Sequence, residues 1–400
     1  MSCDSEFISN LPAFLKPKLR LFLSVDIVNS TAFKQATAKD RKSHKHELTG
    51  DLPAEPWFSP IASFYREIER LFSAEWTHLS RTTESEFQWP KGEPPELWKA
   101  AGDELLYVKT LSDYREALIT VRAWINAINQ HRGVMKSQFP MLDLKATAWL
   151  AGFPVNNAEV ILRPSISVPG DDIAEGDPIL SNLILLRDYY DKSSQGFRDF
   201  IGPSVDTGFR VATLASARKM AITVDLALLL AHATVNQPND EHFPFKKLQF
   251  HYDGRVPLKG VFDGSDYPFF WIDTANNDAL IEIEDTISRV EPIGANEVKE
   301  FCERFIAKTG GHVIKPFILN SNDPLFGEVP EYHVAHLRKL ADYWEKELEK
   351  RDTERKALSG ESPEAEEQEK NLEPAEEDRV TNMLSLPSGA SKTTPTAPSS

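Results

Sequence analysis

The chain has 400 residues, 41% hydrophobic and 10% aromatic, enough for one large packed core and too apolar for a disordered polypeptide. A net charge of −16 argues against a nucleic-acid surface, which needs a basic face, though a local basic pocket for a small phosphorylated ligand is compatible with it. Two cysteines, Cys3 and Cys302, exclude a disulfide framework or a Cys-ligated zinc site, and no window reaches the roughly 18–20 apolar residues that cross a bilayer. These features predict a cytoplasmic protein with no nucleic-acid or membrane partner.

A leading segment, 1–20, precedes the apolar run Leu-Phe-Leu-Ser-Val at 21–25, which reads as a buried strand delivering Asp26 and then the polar turn Asn29-Ser30-Thr31. A helix should start near Thr31. The polar, Pro-rich stretch 39–95 looks like an insertion containing one amphipathic helix, 61–72. Next, apolar residues flank Gly102-Asp103, the pattern of a hairpin with Asp103 at its tip.

Leu118, Val121, Ile125 and Ile128 mark a helical face, and the residues 142–152 alternate as a strand. A Pro-rich loop at 163–172 leads to a helix over 181–190, the segment Phe-Arg-Asp-Phe-Ile-Gly-Pro-Ser-Val-Asp-Thr-Gly-Phe-Arg ending at Arg210, a strand-helix unit over 221–231, and two final strands near 248–260 and 267–273. Val334, Leu337, Ala341, Trp344 and Leu348 recur at helical spacing. The last fifty residues, rich in Glu, Pro, Ser and Thr, predict disorder. The fold class expected is α+β, one sheet covered by helices.

Asp26 and Asp103, at a strand end and a hairpin tip, suit hard divalent cations, which take one or two carboxylates and complete their shells with phosphate oxygens. An arbitrary Asp in a Gly-Asp turn merely caps it about nine times in ten. Order and company raise the odds. Leu-Ser-Val-Asp-Ile-Val-Asn-Ser-Thr at 23–31, Lys-Ala-Ala-Gly-Asp at 99–103 and the segment ending at Arg210 resemble, in the same order, three signature segments of the class III adenylate and guanylate cyclases.

The resemblance covers 21–273, apart from the insertion and much of the loop before Arg198, and implies a cyclase-like sheet; outside it, spacing and composition predict a helical extension over 274–350 and a disordered tail over 351–400. It implies two Mn²⁺ or Mg²⁺ ions per active site, held by Asp26, the Ile27 carbonyl and Asp103. Asn29, Ser30 and Thr31 would hold the triphosphate, together with Lys259 of the short match Leu258-Lys259-Gly260, which is as often an ordinary surface turn. Lys99 and Asp199 would read the base, and Asp206 and Arg210 would serve catalysis. Asp206 departs from the family, which keeps an asparagine there; an ionised carboxylate accepts hydrogen bonds but donates none.

Within the family, the Val-Asp-Thr-Gly-Phe-Arg variant, the insertion and the C-terminal helix resemble the pyrimidine cyclases of Pycsar antiphage defence systems. That implies a uridylate cyclase converting UTP to cyclic UMP, signalling to an effector encoded nearby, and working as a homodimer with composite active sites. The alternatives are a cytidylate cyclase, an adenylate cyclase, which Lys99 and Asp199 also suit, and a non-catalytic cyclase-homology module that binds a nucleotide.

Overall fold

The computed structural model describes residues 3–42, 55–162, 177–193, 196–274 and 279–359. The chain divides into a compact unit, Met1–Trp344, and a second, Glu345–Ser400. In the first unit a seven-stranded sheet is built from β1 (Lys18–Val28), β2 (Glu96–Ala101), β3 (Glu104–Leu111), β4 (Asp143–Phe153), β7 (Lys219–Ile222), β8 (Phe250–Val256) and β9 (Tyr267–Asp273), in the order β2-β3-β1-β4-β7-β9-β8. Among the described residues the β4–β7 pair is the one parallel pair of this sheet. Strands β5 (Ala158–Leu162) and β6 (Phe197–Ile201) make a separate antiparallel pair.

Strand β1 is buried on both faces, as its unbroken apolar run requires. Leu19, Leu21, Leu23, Val25 and Ile27 belong to the larger core, with α3 (Phe58–Phe87), α4 (Arg115–Gln138) and α7 (Val224–Val235). On the opposite face Phe22, Leu106, Val108 and Trp149 form a smaller cluster with Phe200 of β6 and Val205 of α6 (Pro203–Ala212). Helix α6 lies so close that a Cβ on Gly208 would come within 2.3 Å of the Trp149 ring. Trp149 is fully buried and cannot retreat, so glycine is what the position needs.

The expected hairpin is present: β2 and β3 flank Gly102, whose φ of 70° suits glycine, and Asp103. Helix α2 (Ser30–Lys42) starts one residue before Thr31, and Asn29, with φ 65°, makes the turn into it. The amphipathic helix expected over 61–72 extends to 58–87 and is no mere insertion in packing terms. Ile61, Phe64, Ile68, Phe72, Trp76 and Leu79 put it in the main core, against α4.

Two regions differ from expectation or lie beyond it. Residues 351–359, expected to be disordered, continue α10 (Glu331–Ser359), because Glu, Arg, Lys, Ala and Leu there favour helix and no Pro or Gly interrupts them. The remaining tail residues, 360–400, and the 163–172 loop lie outside the described residues. Within the first unit, Val334, Leu337, Ala341 and Trp344 are buried as their spacing predicts, Trp344 edge-on to Phe14 at 5.1 Å. The short helices α1 (Cys3–Asn10), α5 (Pro178–Tyr190), α8 (Ala279–Ser288) and α9 (Ala295–Lys308) complete the chain. Among the described residues no helix is long and apolar enough to cross a membrane.

Candidate active site

Register brings the first group of residues together. Asp26 of β1 pairs with Glu104 of β3 on one side and Lys145 of β4 on the other. Direct cross-strand partners share a face, so all three side chains meet on the smaller-core side of the sheet. The hairpin tip arrives at the same end, where the Ile27 N–H donates to the Asp103 carbonyl at 3.2 Å. Two side chains tighten it further: the Ser30 hydroxyl bonds the Asp103 carboxylate, and the Tyr65 hydroxyl of α3 bonds the Gly102 carbonyl.

Asp26, Ile27, Asn29, Ser30, Thr31 and Asp103 line one open cleft of about 680 Å³. Burial raises the Asp26 carboxyl pKa, and the Asp103 charge adds to the rise, while Lys145, 3.0 Å away, opposes it. Glu104 is also raised, first by burial and then by the Asp26 charge, against a hydrogen bond from Ser24. Lys34 lies 3.6 Å from Asp103. Asp26 and Asp103 are carboxylates of the kind that divalent cations take, and in the structure each faces an ammonium, Lys145 and Lys34, that a bound cation would have to displace or share. Among the described residues there is no group of three or more His, Cys, Asp or Glu side chains that could hold a metal ion.

Lys99 and Asp199, a hundred residues apart, form the second group. Lys99 Nζ lies 3.0 Å from Asp199 Oδ1, which also accepts the Trp98 indole N–H at 3.0 Å. Lys99 pairs with Leu106, which pairs with Ser24, so it shares Asp26's face two residues along the sheet.

Asp206 and Arg210 form the third, one turn apart and exposed on α6. Asp206 lines an open pocket of about 310 Å³ with Leu150, Asp225, Tyr267 and Gly260, the neighbour of exposed Lys259. That pocket sits at the other end of the strands. Leu150 pairs with Leu21, five residues before Asp26, or about 17 Å at the rise of a strand. The chain therefore collects its predicted site residues in separate places: Asp26, Ile27, Asp103, Asn29, Ser30 and Thr31 in one cleft, Asp206 and the Lys259 turn near the opposite sheet end. Lys145, Glu104, Tyr65 and Trp98 were not foreseen; the alternation of residues 142–152 puts Lys145 on the face opposite Leu144, but its partner across β1 is a matter of register.

No family model matches the chain, and no curated protein matches it. Among solved structures it is similar to the adenylyl cyclase CyaB from P. aeruginosa, at 11% identity over 66% of this chain and 97% of that one, with a TM-score of 0.40. It is similar also to the guanylate cyclase domain of RhGC from Catenaria anguillulae in complex with GTP, at 10% identity over 64% and 97%, with a TM-score of 0.37. A bacterial light-regulated adenylyl cyclase follows at 13% identity over 68% and 98%, with a TM-score of 0.36. At such values no residue's role transfers, and the site stands on its own geometry.

Proposed function

We propose that the chain is a class III-type nucleotidyl cyclase whose catalytic domain spans 21–273. One observation carries the reading: two carboxylates distant in sequence, Asp26 and Asp103, are fastened side by side at the start of a helix whose turn residues line the same cleft. Backbone N–H groups at such a start favour phosphate oxygens. The three ordered sequence segments support the same reading independently.

The reaction forms a bond from the ribose 3'-oxygen to the α-phosphorus and breaks the bond from that phosphorus to the β-phosphate oxygen. The 3'-hydroxyl proton is lost and pyrophosphate leaves. Two divalent ions, when bound by Asp26, the Ile27 carbonyl and Asp103, supply charge neutralisation and acidify the hydroxyl. Asn29, Ser30 and Thr31 hold the triphosphate tail, Lys145 adds a positive charge within the cleft, and Lys99 with Asp199 orients the base. Arg210 meets charge developing on the phosphates, and Lys259 contacts them from the same side. Because the Lys259 turn lies at the far end of the strands from Asp26, the two sets meet on one nucleotide when two copies pair about a twofold axis. We read the protein as a homodimer with two composite sites.

Its substrate on this reading is UTP and its product cyclic UMP, a messenger in antiphage defence acting through a nearby effector. Incubation of the purified chain with Mn²⁺ and equal amounts of ATP, GTP, CTP and UTP, with products resolved by mass spectrometry beside an Asp26→Ala control, tests this. Cyclic UMP absent from the control supports the reading. Cyclic CMP or cyclic AMP moves the base choice, and no cyclic product with Mn²⁺, or with Mg²⁺ in its place, favours a nucleotide-binding module.

A further inference from the structure

At the sheet end where β1 and β9 finish and β4 and β7 begin, one guanidinium joins four pieces of the chain. Arg132 of α4 is 13% exposed, and each of its five N–H donors finds a different acceptor. Nε donates to Asp143 Oδ1 at 2.8 Å. Nη1 donates to Asn129 Oδ1 at 2.6 Å and to the Thr274 carbonyl at 2.9 Å, and Nη2 to the carbonyls of Leu144 at 2.7 Å and Ala217 at 2.6 Å. The Thr274 hydroxyl reaches two carbonyls of the same loop, Ala217's at 3.1 Å and Arg218's at 2.9 Å.

These ties end at two walls of the candidate cleft. Ala215, Ser216 and Ala217 line it together with Asp26 and Asp103. Asp143 and Leu144 are the cross-strand partners of Val28 and Ile27, the residues that lead from Asp26 into the Asn29 turn. The β4–β7 ladder pairs Thr147 with Ala221 and Ala148 with Ile222, further into the sheet, so at the cleft end the join between β4 and the 215–217 wall is the Arg132 fork. Buried carbonyls need donors, and that alone explains a stabilising arginine. What the fork adds is relative position. A lysine would keep the charge, but its three donors radiate from one atom and cannot reproduce a planar five-donor fork.

We propose that Arg132 is a positioning residue, whose guanidinium fixes the 215–217 wall relative to Asp26 and Asp103 and so aligns a bound triphosphate with the two carboxylates. The inference rests on the cyclase reading and adds a residue that lies outside its three signature segments. The Asn29–Thr31 turn is tied separately, by Asn29 Nδ2 to the Met141 carbonyl at 3.0 Å and by the Phe33 N–H to the Asn29 carbonyl at 2.9 Å. Loss of the fork should therefore lower kcat and leave KM little changed, since a misplacement of about 1 Å costs up to about a hundredfold in rate.

The test compares full-length wild type, Arg132→Lys and Thr274→Val, with Val298→Ala, a buried position of α9 outside the cleft, as a control for lost stability. Denaturant unfolding establishes folding. Hydrogen–deuterium exchange reads the wall through the Ala215, Ser216 and Lys219 amides, which are hydrogen-bonded in the structure, and kcat and KM are measured with Mn²⁺ and each of the four triphosphates. The expected Lys variant exchanges these amides faster and loses kcat by about tenfold or more with KM little changed. Thr274→Val shows the same pattern more weakly, and the control shows neither change. A folded Lys variant with wild-type exchange overturns the proposal, as does a loosened wall with wild-type kcat, or an equal loss of kcat in the control. If the Lys variant does not fold, Thr274→Val decides by the same criteria. A wild type that forms no cyclic product sinks the cyclase reading, and exchange then decides alone: a wall unchanged in the Lys variant still overturns the role of Arg132, and a loosened one upholds it.

Discussion

Lys145 holds its ammonium 3.0 Å from the Asp26 carboxylate, across the β1–β4 pair, inside the cleft that also contains Asp103. Both side chains are about a third exposed, 34% and 28%, and an ion pair so placed contributes at most about 1 kcal/mol to stability. On the cyclase reading its value lies in the charge it brings to the cleft that would hold the triphosphate. Lys145→Met is expected to change stability by less than about 1 kcal/mol and to lower kcat/KM for the triphosphate more than about tenfold, the equivalent of one charge-assisted contact. Chemical denaturation and steady-state kinetics check the two halves; a variant that melts early but turns over normally would refute this role.

Helix α6, which carries Asp206 and Arg210, lies on the sheet because Gly208 lets it pack on Trp149, and in the proposed dimer that placement aims both residues at the partner's nucleotide. Gly208→Ala forces a methyl group into a buried indole and should cost about 1–3 kcal/mol. Since the helix must lift, activity should fall further than stability explains. Denaturation together with kcat at a temperature where the variant is fully folded measures this. A folded variant with wild-type kcat contradicts the placement.

Asp225 lines the same pocket as Asp206, and burial pushes its carboxyl up to about 6. A folded-state pKa above the unfolded value favours the protonated form. The stabilisation is full below about pH 4 and is lost as pH rises through about 6, by about 3 kcal/mol. Asp225→Asn removes the titration, so its stability relative to wild type should grow from pH 4 to 7 and then level off. A difference independent of pH, read from denaturant unfolding at several pH values, would contradict it.

If two chains share each site, Asp26→Ala and Arg210→Ala are complementary lesions. A heterodimer of the two has one site with both defects and one with neither. Mixed, refolded chains should recover activity that neither variant has alone. Verified heterodimers with no recovery would exclude shared sites.

Much of this was legible in the sequence. The strand carrying Asp26, the Gly102-Asp103 hairpin and the α6 segment follow from apolar runs, turn residues and spacing, which are local properties. The pairing of Lys99 with Asp199 came from the family resemblance, and the structure brings those two side chains together. What local pattern could not supply was register. Glu104 and Lys145 flank Asp26 because three strands align there, and Trp98 shares a face with Lys99 because one residue of β2 is unpaired. The core role of α3, within the stretch read as an insertion, was hidden because its connecting residues are polar while its buried face is satisfied only by α4.

The most direct test of the central claim is phosphorus NMR of UTP with Mg²⁺ and the purified chain, beside Asp26→Ala and Asp103→Ala. A cyclase yields a cyclic phosphodiester and pyrophosphate in equal amounts, and both variants yield neither. Release of UMP with pyrophosphate, or of UDP with phosphate, would show that water rather than the 3'-hydroxyl is the nucleophile and would contradict the account.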